Sequence, residues 1–242
     1  AMIQGKEAVI GNGEHDFEIA KVPVVPMDSN LPADSTFINL TDDGQVTGYG
    51  IVNIKGYNKI NNTSGMLNIS SDNYMHKYLK VLLTLGNNKF KLDTTTYQNL
   101  KNHSGSLSIS YKFEIPDYTV KNNNEIFLNL NLYKMLEDNV IDTTQRKLDI
   151  QSQYKSVEIE TSALNLPAGY HIEYLPKNVD FKSDLFGFSI KYMQANGRVY
   201  ANCKIEKNYL TLHKSDFNEW NKMIKKISSA YNESIILKKN NN

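Results

Sequence analysis

The chain carries a single cysteine, Cys203, in 242 residues. An internal disulfide is thereby excluded, and no cysteine pair is available for a zinc site. Charge of one sign is also missing: 27 Lys and Arg stand against 26 Asp and Glu, for a net charge of +1. These charges are interleaved along the chain, so no basic stripe exists to grip nucleic acid or an acidic bilayer. Long apolar runs are absent too, and none approaches the ~20 residues that span a membrane. The densest short window, Tyr78 to Leu85, contains Lys80, ends at Gly86 and reads as a core helix. Proline is scarce. Three of the six prolines, Pro23, Pro26 and Pro32, crowd one stretch that reads as extended. There is no phosphate loop, nucleophile elbow or dinucleotide fingerprint. No secretory leader is visible, but Ala1-Met2 reads as an artificial junction, so this leaves export open.

What is present is a β pattern in a chain long enough to bury a sizeable core. Residues 1–34 lack periodicity apart from the Gly11-Asn12-Gly13 turn, and suggest a connector with one edge strand. Phe37–Leu40 and Tyr49–Ile54 flank Asp42-Asp43-Gly44, a hairpin signal because Gly accepts positive φ. Ser71 can cap a helix opening at Asp72, with Tyr74, Tyr78, Val81, Leu82 and Leu85 as its apolar stripe and Gly86 as its stop. Leu107, Ile109, Tyr111, Phe113 and Ile115 alternate with polar residues until Pro116, the mark of a half-buried strand.

A polar break at Lys121-Asn122-Asn123-Asn124 places a domain boundary there. Beyond it Ile126, Leu128, Leu130 and Leu132 alternate, and further strands are expected at 147–150, 157–162, 170–175, 185–193 and 198–212. Asn196-Gly197 is the preferred pair for a type I′ turn between the last two. Ser215 should cap a second helix, whose stripe is Phe217, Trp220, Ile224, Ile227 and Tyr231. Ile235–Leu237 should form a final strand. The expected class is mainly β. Two sandwich-like domains are expected, at 35–120 with one helix and at 121–242 with a C-terminal helix, after a connector at 1–34.

The residues that could carry chemistry have plainer roles. Cys203 shares strand parity with Val199, Ala201 and Ile205, so it belongs to the core, where a reactive thiolate has no support. His15, His76, His103, His171 and His213 form no pair at metal-ligand spacing. Asp42-Asp43-Gly44 lacks the further oxygen ligands and distal Glu of a calcium loop. An acid–base carboxylate pair is conceivable, but sequence cannot place two carboxyls at the required separation. The 15 tyrosines could build sugar platforms or interface anchors, though filling sheet faces is the simpler role.

The order of features resembles the region after the papain-like transglutaminase core in large exported proteins of Bacteroides-type bacteria. The matching stretches begin with Gly5-Lys6-Glu7-Ala8, Val22-Pro23-Val24-Val25-Pro26 and Asn30, then Leu40-Thr41-Asp42-Asp43-Gly44 with Gly48 and Gly56. Later come Arg146-Lys147-Leu148-Asp149-Ile150, Leu166-Pro167-Ala168-Gly169-Tyr170 with Glu173-Tyr174-Leu175-Pro176, and Ser234-Ile235-Ile236-Leu237. The resemblance implies β domains of unknown function downstream of an enzyme core. The catalytic residues of that core have no counterpart here. It further implies an exported, periplasmic or cell-surface protein and a non-catalytic accessory role, partnered with the upstream core and with protein or polysaccharide. No catalytic, cofactor-binding or metal residue is assigned. A carbohydrate-binding module and a hydrolase with an unrecognised carboxylate site are the alternatives.

Overall fold

The computed structural model describes residues 3–41, 43–102 and 105–240; Asp42 and His103 lie outside them. Strands β1 (Glu7–Gly11) and β2 (Phe17–Lys21) pair with each other around the Gly-Asn-Gly turn. The connector expected there thus holds a hairpin, not one edge strand. Pro32 opens β3 (Pro32–Leu40), a first-residue position where the missing N–H is tolerated. Asp43-Gly44, with Gly44 at φ +85°, turns the chain into β4 (Val46–Ile54).

Helix α1 (Gly56–Leu67) was not expected. Its sequence holds two glycines and three asparagines, all poor helix formers. Tertiary contacts hold it instead. The fully buried Asn30 accepts from the Tyr57 N–H at 2.9 Å and donates to the Lys155 carbonyl at 2.9 Å. Gly56, at φ +58°, leaves the room that Asn30 needs, since a Cβ there would lie 2.2 Å from its Oδ1. Helix α2 (Asp72–Leu82) follows, with Ser71 Oγ accepting from the Tyr74 N–H at 3.3 Å. Its expected apolar stripe holds only in part: Tyr78 packs on the core and Leu85 is buried. Tyr74 and Val81 are 65% and 80% exposed, and the inward line is Met75, Leu79 and Leu83. The helix offers two apolar lines, and packing beside β5 (Lys91–Gln98) selects one.

Strand β6 (Leu107–Ile115) buries every second residue as expected. Then come β7 (Val120–Asn122), β8 (Glu125–Leu128), β9 (Ile150–Gln151), β10 (Ser156–Asn165), β11 (Tyr170–Tyr174) and β12 (Val179–Lys182). Strands β13 (Phe186–Ala195) and β14 (Arg198–Lys207) form a hairpin through Asn196 and Gly197 at φ 51° and 71°, the two positive values a type I′ turn requires. Strand β15 (Thr211–Leu212) leads to α3 (Phe217–Tyr231), and β16 (Ile235–Lys239) ends the fold.

The main sheet has eight strands in the order β12-β13-β14-β10-β3-β4-β6-β5. Only β10 and β3 run parallel; the other pairs in it are antiparallel. Because of that parallel pair, strands from both sides of the boundary expected near 121–124 share one sheet. A second sheet runs β11-β16-β8-β7. The class is mainly β with a C-terminal helix, and α3 packs on β12 and β13. All five expected stripe residues of α3 are buried, and Met223 joins them. Trp220 donates its indole N–H to the Asn139 carbonyl at 2.8 Å and meets the rings of Phe186 and Tyr209 edge-on at 5.2 and 6.0 Å. Ser215 is not the cap. It lies inside a 3-10 turn, Lys214–Asp216, where the Asp216 carboxylate accepts from the His213 N–H at 3.1 Å.

Candidate functional site

Two places in the fold gather polar groups away from bulk water. The first lies on the inner face of the main sheet. Parity along β3 turns Asp34, Thr36 and Ile38 inward, and parity along β10 does the same for Glu160, Ser162 and Leu164. Parallel pairing sets Asp34 directly opposite Glu160, and antiparallel pairing sets Glu160 opposite Cys203 on β14. Three neighbouring strands therefore present a carboxyl, a carboxyl and a thiol in one row.

Asp34 is buried and hydrogen-bonded. Thr36 donates to its Oδ1 at 2.9 Å and the Tyr111 hydroxyl to its Oδ2 at 3.1 Å. Tyr111 reaches it by lying across Gly50, where any Cβ would strike the ring. Burial nevertheless raises the Asp34 carboxyl from 3.8 to about 6, against the lowering effect of the two donors. Glu160 is raised well above the ordinary carboxylate range, first by burial and then by the charges of Asp34 and Glu158. Two facing carboxyls in a dry sheet cannot both ionise cheaply. Near neutrality Asp34, which holds the donors, carries the charge and Glu160 keeps its proton. Burial pushes the Cys203 thiol up to about 11, and its sulfur touches the Tyr231 hydroxyl at 3.5 Å. At 4% exposure and with no cationic neighbour, it is protonated. The cavity against Thr36, Tyr133, Glu160 and Cys203 has about 10 Å³, room for one water.

The second place is a groove of about 940 Å³ between α1 and Leu100, Asn102, Gly105 and Ser106. Its floor includes Lys59, 6% exposed, whose ammonium donates to the carbonyls of Asn102 and Gly105. Lys55, on the rim, is exposed. Thr63 also lines the groove, and its buried Oγ1 has no hydrogen-bond partner among the described residues. Ile60, 60% exposed, Leu67, 48% exposed, and Leu100 supply apolar flank. Tyr57, at one side, stacks on Tyr154 at 5.5 Å. No carboxylate is among the described lining residues.

The residues expected to be plain fall elsewhere. His15, His76, His171 and His213 are exposed and scattered. His213 Nδ1 meets Asp149 at 2.8 Å, and His171 Nε2 meets Glu173 at 3.5 Å. Among the described residues no three His, Cys, Asp or Glu side chains gather as a metal site would require. The tyrosines divide. Tyr111, Tyr192, Tyr209 and Tyr231 are core residues, while Tyr49 stacks on Phe37 at 4.7 Å on the outer sheet face. Sequence reasoning missed Asp34, Glu160, Lys59 and Thr63. A carboxylate on the apolar parity of a strand was the one available signal for the first two; helix α1, and with it Lys59 and Thr63, had none.

A mainly β chain with a ligand-sized groove can be set beside known proteins. Residues 124–237, from β8 into β16, match the profile of a domain of unknown function with a solved structure, DUF3858. No curated protein matches the chain. One similar solved structure is a chain from Parabacteroides distasonis described as a "putative protease". It is 9% identical, with a TM-score of 0.36, over 43% of this chain and 20% of that one. The present chain thus spans about a fifth of that protein's length. No helix of the described residues is long and apolar enough to cross a membrane.

Proposed function

We propose that this chain is a non-catalytic accessory region of a longer exported, transglutaminase-like protein, and that it binds a partner or substrate segment in the groove beside α1. The observation that carries the reading is the separation of chemistry from access. The groove has the volume of a ligand site, about 940 Å³, but its described lining holds no carboxylate, histidine or thiol to act as acid, base or nucleophile. The raised Glu160 carboxyl and the raised Cys203 thiol line a cavity of only about 10 Å³. The resemblance to the region after a transglutaminase-like core supports the parentage.

The test uses the full-length gene product and this chain alone, assayed on protein substrates for peptidase and acyl-transfer activity. Full-length activity should survive Cys203→Ala, and the isolated chain should have none. Activity in the isolated chain that disappears with Cys203→Ala refutes the reading.

A carboxylate-pair hydrolase is the second reading, favoured by Asp34 facing Glu160 with both carboxyls raised. It requires the inner cavity to open to substrate. Hydrolytic activity of the isolated chain that is lost in Glu160→Gln, with fold retained, would establish it over the first.

A further inference from the structure

The groove's electrostatics say more about its occupant. Lys59 is a nearly buried ammonium with no ion-pair partner among the described residues, and the exposed Lys55 on the same groove has none either. An ammonium has three protons, and Lys59 gives two of them to the carbonyls of Asn102 and Gly105. Neutral carbonyls solvate such a cation but do not cancel its charge, so the floor of the groove stays electropositive in a setting of lowered dielectric. Lys59 therefore lacks a counter-charge in a nearly buried setting, and an anion in the groove supplies one. Nearby, Ile60 and Leu67 leave aliphatic surface open. Among the described lining residues the one aromatic ring, Tyr57, is already stacked on Tyr154. That leaves little stacking surface for a sugar.

On the reading above that this groove is a binding site, we infer that its ligand is an acidic peptide. A peptide carboxylate takes the remaining Lys59 proton and the field of Lys55. Neighbouring aliphatic side chains of the peptide pack on Ile60 and Leu67. The arrangement discriminates by charge, since glutamine in place of glutamate leaves Lys59 without its anion.

The experiment titrates the whole 242-residue chain, isotope-labelled, with three probes while backbone amide resonances are followed. One probe is a pool of N-acetylated, C-amidated leucine-rich pentapeptides with one glutamate. The second is the same pool with glutamine instead, and the third is trigalacturonate. The glutamate pool should shift the amides of Lys59, Thr63 and Asn102, and the glutamine pool should bind roughly tenfold to a hundredfold more weakly. Raising salt should weaken the glutamate pool alone. Lys55→Gln should weaken it several-fold. It serves beside Lys59→Met, which could fail to fold. Equal binding of both pools in the groove overturns the inference and leaves the binding reading standing. Tighter groove binding by trigalacturonate overturns the peptide assignment in the same way. If none of the probes shifts groove resonances, the inference and the binding reading fall together.

Discussion

Replacing Asp34 by asparagine should change how this protein's stability responds to pH. Asp34 is 8% exposed, and burial lifts its carboxyl from 3.8 to about 6. Such a group holds its proton more tightly folded than unfolded. The resulting penalty is absent below pH 3.8, grows between 3.8 and about 6, and is complete above that. At 1.36 kcal/mol per pH unit it reaches about 3 kcal/mol near neutrality. Asparagine removes the penalty, whose size already includes the donors Thr36 and Tyr111, but brings an amide NH2 that needs acceptors in the same buried space, a cost of about 1–2 kcal/mol. Asp34→Asn should therefore be more stable than the parent by about 1–2 kcal/mol at pH 7.5, and less stable by about 1 kcal/mol at pH 4. Urea unfolding followed by Trp220 fluorescence at four pH values, with a constant m-value, measures this. The exposed carboxyls of Asp43, Asp142, Asp149 and Glu173 are held low by their hydrogen bonds. Their effect is lost only as pH falls through those lowered values, and it cancels in the difference between variant and parent. A stability difference that stays constant from pH 4 to 7.5 would refute the placement of a strained carboxyl at Asp34.

Four other outcomes follow from the packing. Trp220→Ala should cost about 3–5 kcal/mol, read by urea denaturation with tyrosine fluorescence, because the indole fills space between Phe186 and Tyr209. Gly50→Ala should cost about 1–3 kcal/mol and weaken the Tyr111 contact to Asp34, since the new methyl meets the Tyr111 ring. Gly197→Ala meets no neighbouring atom, so its cost should be the backbone strain alone, about 1–2 kcal/mol, seen as a lowered Tm. The Cys203 thiol should resist an aromatic disulfide reagent at pH 8 until the protein unfolds, and fast native-state labelling would contradict its burial.

The structure also shows which rules of local sequence held. Period-two alternation placed β6 residue for residue, and Asn196-Gly197 specified its turn, because both depend on neighbours within a few positions. The stripe of α3 was legible for the same reason: five large apolar residues at helical spacing leave one face to bury. Where two stripes competed, as on α2, the sequence did not decide between them, and contact beside β5 did. Helix α1 was invisible because its residues disfavour helix, and Asn30, far from it in sequence, holds its first turn.

By itself, then, the order of residues determined a mainly β chain, its tightest turns, its C-terminal helix and the burial parity of Cys203. Only the tertiary structure decided that β3 lies parallel to β10, and that single pairing brings Asp34 to Glu160. It alone also set α1 against Asn102 and Gly105 and so made the groove with Lys59 in its floor. The physical reason is range. Propensity, turn chemistry and side-chain period act over a few residues, whereas strand adjacency and cavities arise from the packing of elements far apart in the chain, where many pairings satisfy the same local pattern.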